Sequence, residues 1–441
     1  MLTLRYILRL ILAFGIRFKF LLLAGLLLGV VFFIVSSWAI PLIFGKEIDR
    51  VGITGRFKVE SLPDSVLEAV GDGLTRLDAD GTVLPDLAQS WESPDKGKTW
   101  IFHIRTDIKW QDGESLESYD LDYEYTDVSI ETPDTHTIVF KLDAPFSLFP
   151  SIVSRPTFKK GLLGTGDWKV DSVSIAGGYL QKLVIISKEK DKKVFKFYPT
   201  EERAKLAYKL GEVDTLTGIF NPMPFESWKN SIVHETVDTQ KEVVLFFNMQ
   251  DEMFKDNKNL RQALSYAIDK EKLPGVRALS PISPTSWAFN PQVKPYDFDK
   301  ERAKELLEDL PEEFLNNLTI KLVTSPILLE QAESIAKDWE EAGIKTSLQV
   351  SSGVPNEYQA LLAIYEIPMD PDQYSVWHST QLGSNVSKYQ DARIDKLLES
   401  GRTELTLEER RTIYLDFQRF LLEDAPAVFL YHPISYDIER R

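Results

Sequence analysis

The side chains that could carry out chemistry form no catalytic or metal-binding pattern in this sequence. There is no cysteine and no Gly-x-Ser-x-Gly segment around a nucleophilic serine. Metal-ligand spacing is absent among the five histidines, which are His103, His136, His234, His378 and His432. Asp370 and Asp372 have the residue types of an acid–base pair, but close carboxylates arise by chance among 67 acidic residues. The sequence therefore argues against an enzyme and predicts no cofactor and no bound metal.

A binding cleft needs different residues, namely aromatic walls, a few polar groups and two rigid bodies that close. Trp287 lies in a proline-rich loop, PISPTSWAF. The segment Asp370-Pro371-Asp372 is flanked in the sequence by Tyr365, Tyr374 and Trp377. Each of these aromatic side chains fits ordinary core packing as well as it fits ligand contact.

The charge distribution separates a short basic N-terminal part from a long acidic remainder. Residues 1–45 hold four basic and no acidic side chains, so the rest holds 47 basic and 67 acidic side chains, a net charge of −20. A nucleic-acid-binding domain needs a basic face, so no nucleic-acid partner is expected. The chain beyond residue 45 is also longer than one hydrophobic core normally serves, which predicts two lobes.

Residues 20–45 contain no charged side chain and are long enough to cross a bilayer as a helix. The basic arm 1–19 precedes them, so the positive-inside rule places the N-terminus in the cytoplasm and the main domain outside. A cleaved signal peptide ending near Ala39 is the alternative. The length of the apolar run favours an uncleaved single-pass anchor in the lipid bilayer.

Helical and strand periodicities alternate along the outer part, which predicts an α/β fold. A strand–helix–strand unit is predicted over Leu318–Val323, Leu328–Ala342 and Lys345–Val350. This order predicts a parallel strand pair. A short helix is predicted to start at Pro85 and end at Ser90. An amphipathic helix over Glu201–Leu210 is predicted to bury Ala204, Leu206, Ala207 and Leu210.

Several long segments resemble the family 5 extracellular solute-binding proteins, which are the oligopeptide-, dipeptide- and nickel-binding receptors of ABC importers. The stretch from Gly81 to Gly113, GTVLPDLAQSWESPDKGKTWIFHIRTDIKWQDG, is similar to the family signature "dG.v.P.LA.SWe...dgktw.F.lR.gvkf.dG". LRQALSYAIDK at 260–270 is similar to "vRqAlsyAIDre". Weaker similarities lie at 163–170, 210–214, 369–372, 385–398 and 409–426.

The resemblance implies a two-lobe, periplasmic-binding-protein-like fold, here preceded by one transmembrane helix. It places lobe I at 46–75, 160–243 and 425–441, and lobe II at 244–424. The hinge is expected near 241–245 and 423–428. A small extra domain at 76–159 is expected to pack on lobe I, in reduced form because a strand follows Asp120 much sooner than in the larger receptors.

The resemblance also implies which residues contact a ligand. They are Phe220, Asn221, Asn248, Trp287, Tyr365, Glu366, Asp370, Tyr374 and Trp377. In peptide-binding relatives an aspartate shortly before the Asp-Pro pair accepts the peptide's α-amine. This chain has Ile367 at that place, preceded by Glu366, which reaches the amine only if the loop shifts by one residue.

The predicted function is therefore that of a membrane-anchored, extracytoplasmic solute-binding protein of an ABC importer. Its lobes would close on a peptide or similar small solute and then dock on an ABC permease. The alternative is a repurposed binding-protein scaffold with a structural or sensory role and no transport. The reduced extra domain and the absent aspartate favour that alternative.

Overall fold

The computed structural model describes residues 17–20, 25, 27–33, 35, 48–355 and 357–441. The predicted basic arm 1–19 and the predicted anchor 20–45 lie mostly outside these residues. Within the described part, no helix is both long enough and apolar enough to cross a membrane. The arm and the anchor therefore stay predictions.

Strands dominate the described part of the chain. In chain order they are β1 (Ile48–Thr54), β2 (Thr75–Leu77), β3 (Val83–Pro85), β4 (Ala88–Glu92), β5 (Thr99–Ile104), β6 (Val128–Asp134), β7 (Thr137–Leu142), β8 (Trp168–Ala176), β9 (Tyr179–Ser187), β10 (Lys192–Tyr198), β11 (Thr215–Ile219), β12 (Ser231–Val237), β13 (Lys241–Phe247), β14 (Val276–Arg277), β15 (Thr319–Thr324), β16 (Lys345–Val350), β17 (Ala360–Glu366), β18 (Ala427–His432) and β19 (Ile434–Arg440).

Helices connect and cover these strands. Numbered from residue 48 onward they are α1 (Asp64–Val70), α2 (Phe149–Ile152), α3 (Glu201–Lys209), α4 (Glu252–Lys255), α5 (Lys258–Ala267), α6 (Lys300–Glu308), α7 (Glu312–Asn317), α8 (Leu329–Glu341), α9 (Tyr374–Trp377), α10 (Ala392–Thr403) and α11 (Leu407–Asp424).

Two large mixed sheets organise the molecule. The seven-stranded sheet has the order β12-β19-β11-β1-β10-β9-β8, and the six-stranded sheet has the order β14-β18-β13-β17-β15-β16. A four-stranded sheet, β4-β5-β7-β6, and the pair β2-β3 stand apart from both. Alternate side chains of the central strand β13 enter two different apolar cores, one on each face of the six-stranded sheet.

The predicted strand–helix–strand unit is confirmed. β15 and β16 pair in parallel from Thr319 opposite Lys345 to Thr324 opposite Val350. Between them, α8 buries Trp339 completely. Gly343 follows the helix with φ +93°, a left-handed conformation that favours glycine at a helix C-terminus.

The helix predicted between Pro85 and Ser90 is wrong, because Pro85 ends strand β3, strand β4 begins at Ala88, and the two residues between them are not helical. The backbone N–H groups of Leu87 and Ala88 donate to the carbonyls of Gly73 and Leu74 at 3.1 and 2.9 Å. Both side chains are buried. Long-range backbone pairing and burial therefore override the local helix-start signal of a proline.

The buried face predicted for helix α3 is only half correct. Ala204 and Ala207 are buried, but Leu206 and Leu210 are 55% and 67% exposed. The helix instead buries Tyr208, whose ring lies 4.9 Å from that of Phe225 in an edge contact. The large aromatic ring sets the rotation of the helix, and the two leucines are left in solvent.

The chain crosses between the two large sheets twice in the described residues. One crossing runs from β12 to β13, and the other passes through Pro433 between β18 and β19. The second crossing was expected at 423–428, but β18 pairs with β13 in the six-stranded sheet. The crossings are adjacent, since Asp238 N–H donates to Pro433 O at 3.0 Å and a His432 ring nitrogen lies 2.9 Å from Lys241 O.

The segment predicted as a reduced extra domain contacts both parts of the molecule built on the large sheets. We call these parts the seven-stranded unit and the six-stranded unit. Gln111 Nε2 donates to Val70 O and to Trp168 O, both at 2.8 Å, on the side of the seven-stranded sheet. On the other side, Trp287 N–H donates to Asp80 O at 3.0 Å and Ser147 N–H donates to Arg402 O at 2.7 Å. The segment 76–159 therefore bridges the two units through its turns and loops.

Candidate functional site

A cavity of about 190 Å³ lies where the two large sheets meet beside the crossings. We call it the inter-sheet cavity. Three of the lining residues belong to the seven-stranded unit, and most of the others belong to the six-stranded unit. Its lining residues are Phe220, Val243, Pro274, Ile327, Leu328, Gln331, Ile364, Tyr431, Pro433, Ile434 and Tyr436.

The lining of the inter-sheet cavity is mostly apolar and carries no charged side chain. Phe220, Ile327 and Ile364 are 44%, 60% and 36% exposed, so apolar side chains from both units face open space. Burial raises the pKa of Tyr431 to about 12, which keeps its hydroxyl neutral. The inter-sheet cavity is therefore a candidate binding site between the two units.

One polar atom in the cavity wall lacks a partner. Oε1 of Gln331, on the first turn of α8, is buried and accepts no hydrogen bond. A buried carbonyl oxygen normally has a donor. Less than 1 Å² of this oxygen is accessible, so a molecule in the cavity does not reach it.

Strand β17 leaves part of one edge free beside the cavity. It pairs with β13 over its full length, from Ala360 to Glu366. On its other side, β15 pairs only with Ala360–Leu362. The main-chain groups after Leu362 on that edge, next to Ile364 in the cavity wall, carry no strand partner among the described residues.

Among the predicted site residues, Phe220 lines the inter-sheet cavity, whereas the two predicted asparagines hold local backbone. Asn221 Oδ1 accepts from Met223 N–H at 2.9 Å. Asn248 Nδ2 donates to Tyr358 O at 2.8 Å, and its Oδ1 accepts from Gln250 N–H at 3.1 Å. Both residues stabilise turns, Asn248 also joins its turn to the segment before β17, and neither residue lines the inter-sheet cavity.

The segment expected to bind a ligand amine is arranged differently from the expectation. Ile367 is buried, and its N–H donates to Gln240 O at 2.7 Å. Glu366 is exposed and stands directly opposite Lys241 in the strand register. Tyr365 turns to the other face, where its hydroxyl donates to Gln373 Oε1 at 2.9 Å. The loop has not shifted to place a free carboxylate in the inter-sheet cavity.

Trp287 and Asp370 belong to a second cavity of about 410 Å³, between the four-stranded sheet and the six-stranded unit. Trp91 and Trp100 also line this cavity. Asp370 is not free to bind, because Arg410 Nη1 donates to its Oδ2 at 2.9 Å and Arg410 Nη2 also donates to the carboxylate. The Arg410 guanidinium in turn lies 5.3 Å from the Trp287 ring centre.

The remaining two predicted site residues pack inside the six-stranded unit. The Tyr374 ring stacks on His378 with a 4.0 Å centroid distance. The Arg402 guanidinium lies 3.8 Å from the centroid of the Tyr374 ring. Trp377 is 1% exposed and its ring contacts Phe246 and Phe429. The structure therefore does not bring the predicted residues into one site.

The comparisons with known proteins agree on one family. Residues 82–384, well over half of the chain, match the model described as bacterial extracellular solute-binding proteins, family 5. The chain belongs to this family. Family 5 proteins bind solutes for transport, so this family 5 protein is not an enzyme.

Individual relatives of this family 5 protein are distant but cover most of it. The dipeptide-binding protein of Escherichia coli K12 is 24% identical over 81% of this chain and 82% of its own length. Di/tripeptide-binding protein 1 of Pseudomonas aeruginosa is 24% identical over 92% and 91%. The structure of NikZ from Campylobacter jejuni in complex with Ni(L-His) superposes with a TM-score of 0.73 at 22% identity, covering 90% of this chain and 94% of that one.

Sequence reasoning missed two kinds of residue in this family 5 protein. Ile327 and Gln331 line the cavity, but nothing in the apolar stretch around them marks a site. Glu242 is fully buried, with neither carboxylate oxygen partnered. An acid directly before the apolar run VVLFF was a visible signal for this buried carboxyl. In the described residues, no group of three or more histidine, aspartate or glutamate side chains is arranged to hold a metal ion.

Proposed function

We propose that this protein is the solute-binding component of an ABC importer and captures a small solute, a peptide or a similar molecule, in the inter-sheet cavity. The observation that carries the proposal is an apolar cavity with walls from both large units at the place where the chain crosses between them. The names of the similar proteins, which include dipeptide- and di/tripeptide-binding proteins, support a peptide-sized solute.

The proposed mechanism is closure of two lobes about the adjacent crossings. Lobe I is built on the seven-stranded sheet and lobe II on the six-stranded sheet. Rotation about segments 238–240 and 433 changes the distance between Phe220 on one wall and Ile364 on the other. Burial of the ligand between these walls supplies the affinity, and the closed form is the one that docks on the permease. The free edge of β17 offers main-chain groups to an extended ligand.

The proposed location is the outer face of the cell membrane, with residues 20–45 as a single-pass anchor and the N-terminus in the cytoplasm. The family supports an extracytoplasmic main domain. The uncharged run of residues and the basic arm before it support the anchor.

A repurposed scaffold with a structural or sensory role is the second candidate. It is favoured by Ile367, which is buried at the place where peptide-binding relatives carry the amine-binding aspartate. A scaffold of this kind would keep both sheets and the crossings but bind no solute.

The experiment is to melt the full-length protein in detergent with dipeptides, tripeptides, blocked peptides and small uncharged solutes. A ligand at one hundred times its dissociation constant adds about 2.7 kcal/mol to the free energy of unfolding. Phe220→Ser should remove that stabilisation, whereas Leu206→Ser, at an exposed leucine outside the cavity, should not. A cooperative melt that no solute shifts would favour the scaffold.

A further inference from the structure

We propose that the turn between β9 and β10 binds the headgroups of an anionic phospholipid bilayer and thereby holds lobe I against the membrane. We call it the β9–β10 turn and define it as Ser187–Lys193. The inference rests on the proposed function, because it requires the anchor at 20–45. It assigns a second membrane contact to the main domain and involves neither the inter-sheet cavity nor a solute.

The short connection between the anchor and the first strand keeps one edge of lobe I near the bilayer. Only residues 46 and 47 separate the proposed anchor from Ile48, the first residue of β1. Three residue steps of backbone span at most about 11 Å. Whatever path the connection takes, the end of β1 that carries Ile48 therefore lies within that distance of the end of the anchor.

The strand register places the β9–β10 turn at the same edge of the seven-stranded sheet. β1 and β10 are parallel neighbours, and Ile48 lies opposite Lys192. β9 leads into β10 with Ile186 opposite Lys192, so the residues between them project past the end of β1. Lys190 N–H donates to Ser187 O at 2.9 Å, and Ser187 N–H donates to Asp191 O at 3.0 Å. The tip is thus held by its own backbone hydrogen bonds on the side from which the anchor enters.

The charge of the β9–β10 turn suits an anionic surface. Its seven residues include four lysines and two acids, a net charge of +2, whereas the chain beyond residue 45 carries −20. Lys190, at the tip, is exposed and is paired with no acid among the described residues. Lysines this close to a bilayer are attracted to anionic headgroups within about one Debye length.

The other three lysines of the turn have acidic neighbours that a lipid phosphate would have to replace. The N···O distances are 3.2, 3.5 and 3.3 Å for Lys188, Lys192 and Lys193. Their partners are Asp167, Asp171 and Asp49. The pair of Lys188 is the most exposed, with side chains 76% and 86% accessible, and such surface pairs are weak in water. Lys188 and Lys190 are therefore the two lysines assigned to the lipid.

This contact would fix lobe I and leave lobe II free to move. β11 starts beside Val51 near the beginning of β1 and pairs there with the end of β19, so the end of β19 also lies at the anchored edge. The start of β19, Ile434, pairs with Val237 at the opposite edge, beside the crossings. The inter-sheet cavity, which has Ile434 in its wall, therefore lies at the edge of lobe I that is turned away from the anchor.

The test measures how close the turn lies to lipid headgroups in the full-length protein. The protein is placed in bilayer nanodiscs that contain a phospholipid with a spin label on its headgroup. The chain has no cysteine, so one introduced cysteine carries a fluorophore at a single position. Glu189→Cys labels the turn and keeps all four lysines. Ser174→Cys labels an exposed position on β8 opposite Lys182, seven residues or about 24 Å along β9 from the turn.

We expect the spin label to quench the fluorophore at position 189 and not at position 174. In anionic bilayers, Lys188→Gln with Lys190→Gln should lower the ratio of contacting to lifted turns by about fivefold for each lysine. The matched control is Lys304→Gln with Lys345→Gln, two exposed lysines of the six-stranded unit, which should leave the quenching unchanged. The effect of the turn variants should vanish at 1 M salt, where the Debye length is about 3 Å.

Flotation of the protein with liposomes tests the anchor separately, so the outcomes can be told apart. A protein that floats with the bilayer but shows no quenching at position 189 would overturn the inference and leave the anchor standing. Equal quenching in anionic and neutral bilayers would overturn the role of the lysines. A protein that does not float would overturn the anchor and the inference together, and solute capture would be unaffected.

Discussion

Replacing Glu242 by glutamine should stabilise the protein, and the gain should grow with pH. The carboxyl is fully buried on β13, and neither oxygen has a hydrogen-bond partner. Burial raises its pKa well above the usual value, and the more distant positive charge of Arg277 offsets only part of that effect. Tyr365 lies directly opposite Glu242 in the neighbouring strand β17. The folded protein therefore keeps Glu242 protonated at a pH where the unfolded chain has released the proton.

The sign and size of the effect follow from proton linkage. A raised pKa in the folded state contributes stability that is complete below the unfolded value of about 4.3 and is lost as the pH rises through the folded value. Each pH unit in that window costs about 1.4 kcal/mol. For a carboxyl that stayed protonated throughout this range in the folded state, the loss between pH 4 and pH 7 would be about 3 kcal/mol. Glutamine has nearly the same shape and no proton to release, so Glu242→Gln avoids this loss.

Urea unfolding at pH 4, 5, 6 and 7 measures the difference between the two proteins. The matched control is Glu366→Gln, an exposed glutamate on the neighbouring strand β17. We expect the advantage of Glu242→Gln to be smallest at pH 4 and to rise steadily toward pH 7, with no comparable trend in the control. An advantage independent of pH, or a variant that is less stable at pH 7, would refute the reasoning.

Two further predictions concern buried side chains of the six-stranded unit. Arg410→Met should lower the free energy of unfolding by about 3–5 kcal/mol, because it leaves the buried carboxylate of Asp370 without its partner. Urea unfolding should show that adding Asp370→Asn restores most of this loss. A loss below about 1 kcal/mol would contradict the assigned pairing. Trp339→Ala should cost about 3–5 kcal/mol in the same assay, since the ring is fully buried and its Nε1 donates to Leu264 O at 3.1 Å. The control for both is Leu210→Ala, at an exposed position outside this unit, which should change stability by less than about 0.5 kcal/mol.

Much of the secondary structure follows from local sequence, and the exceptions have physical causes. The unit from β15 to β16 was predictable because a helix of suitable length between two apolar strands permits a parallel pair. Helix α3 was located correctly, but its rotation depended on the packing of Tyr208 against Phe225, which are distant in sequence. The proline at 85 signalled a helix, yet Leu87 and Ala88 pair with a backbone segment that only the folded chain brings alongside.

The candidate site was less predictable than the fold. Family motifs pointed to Asp370 and Trp377, but one is held in an ion pair with Arg410 and the other packs in the core. Phe220, predicted as a ligand contact, lines the inter-sheet cavity, and its contact with a ligand stays a prediction. Ile327 and Gln331 were missed, because an apolar wall and one unpaired carbonyl oxygen have no sequence motif.

The sequence by itself determined the family, the α/β class and the absence of a motif for covalent or metal chemistry. These properties depend on residue types and on spacings along the chain, which a sequence displays directly. Only the tertiary structure decided which side chains face the space between the two sheets, and that they carry no charge. The cavity walls combine residues more than 200 positions apart, such as Phe220 and Tyr431, so their placement depends on strand register and on where the chain crosses between sheets.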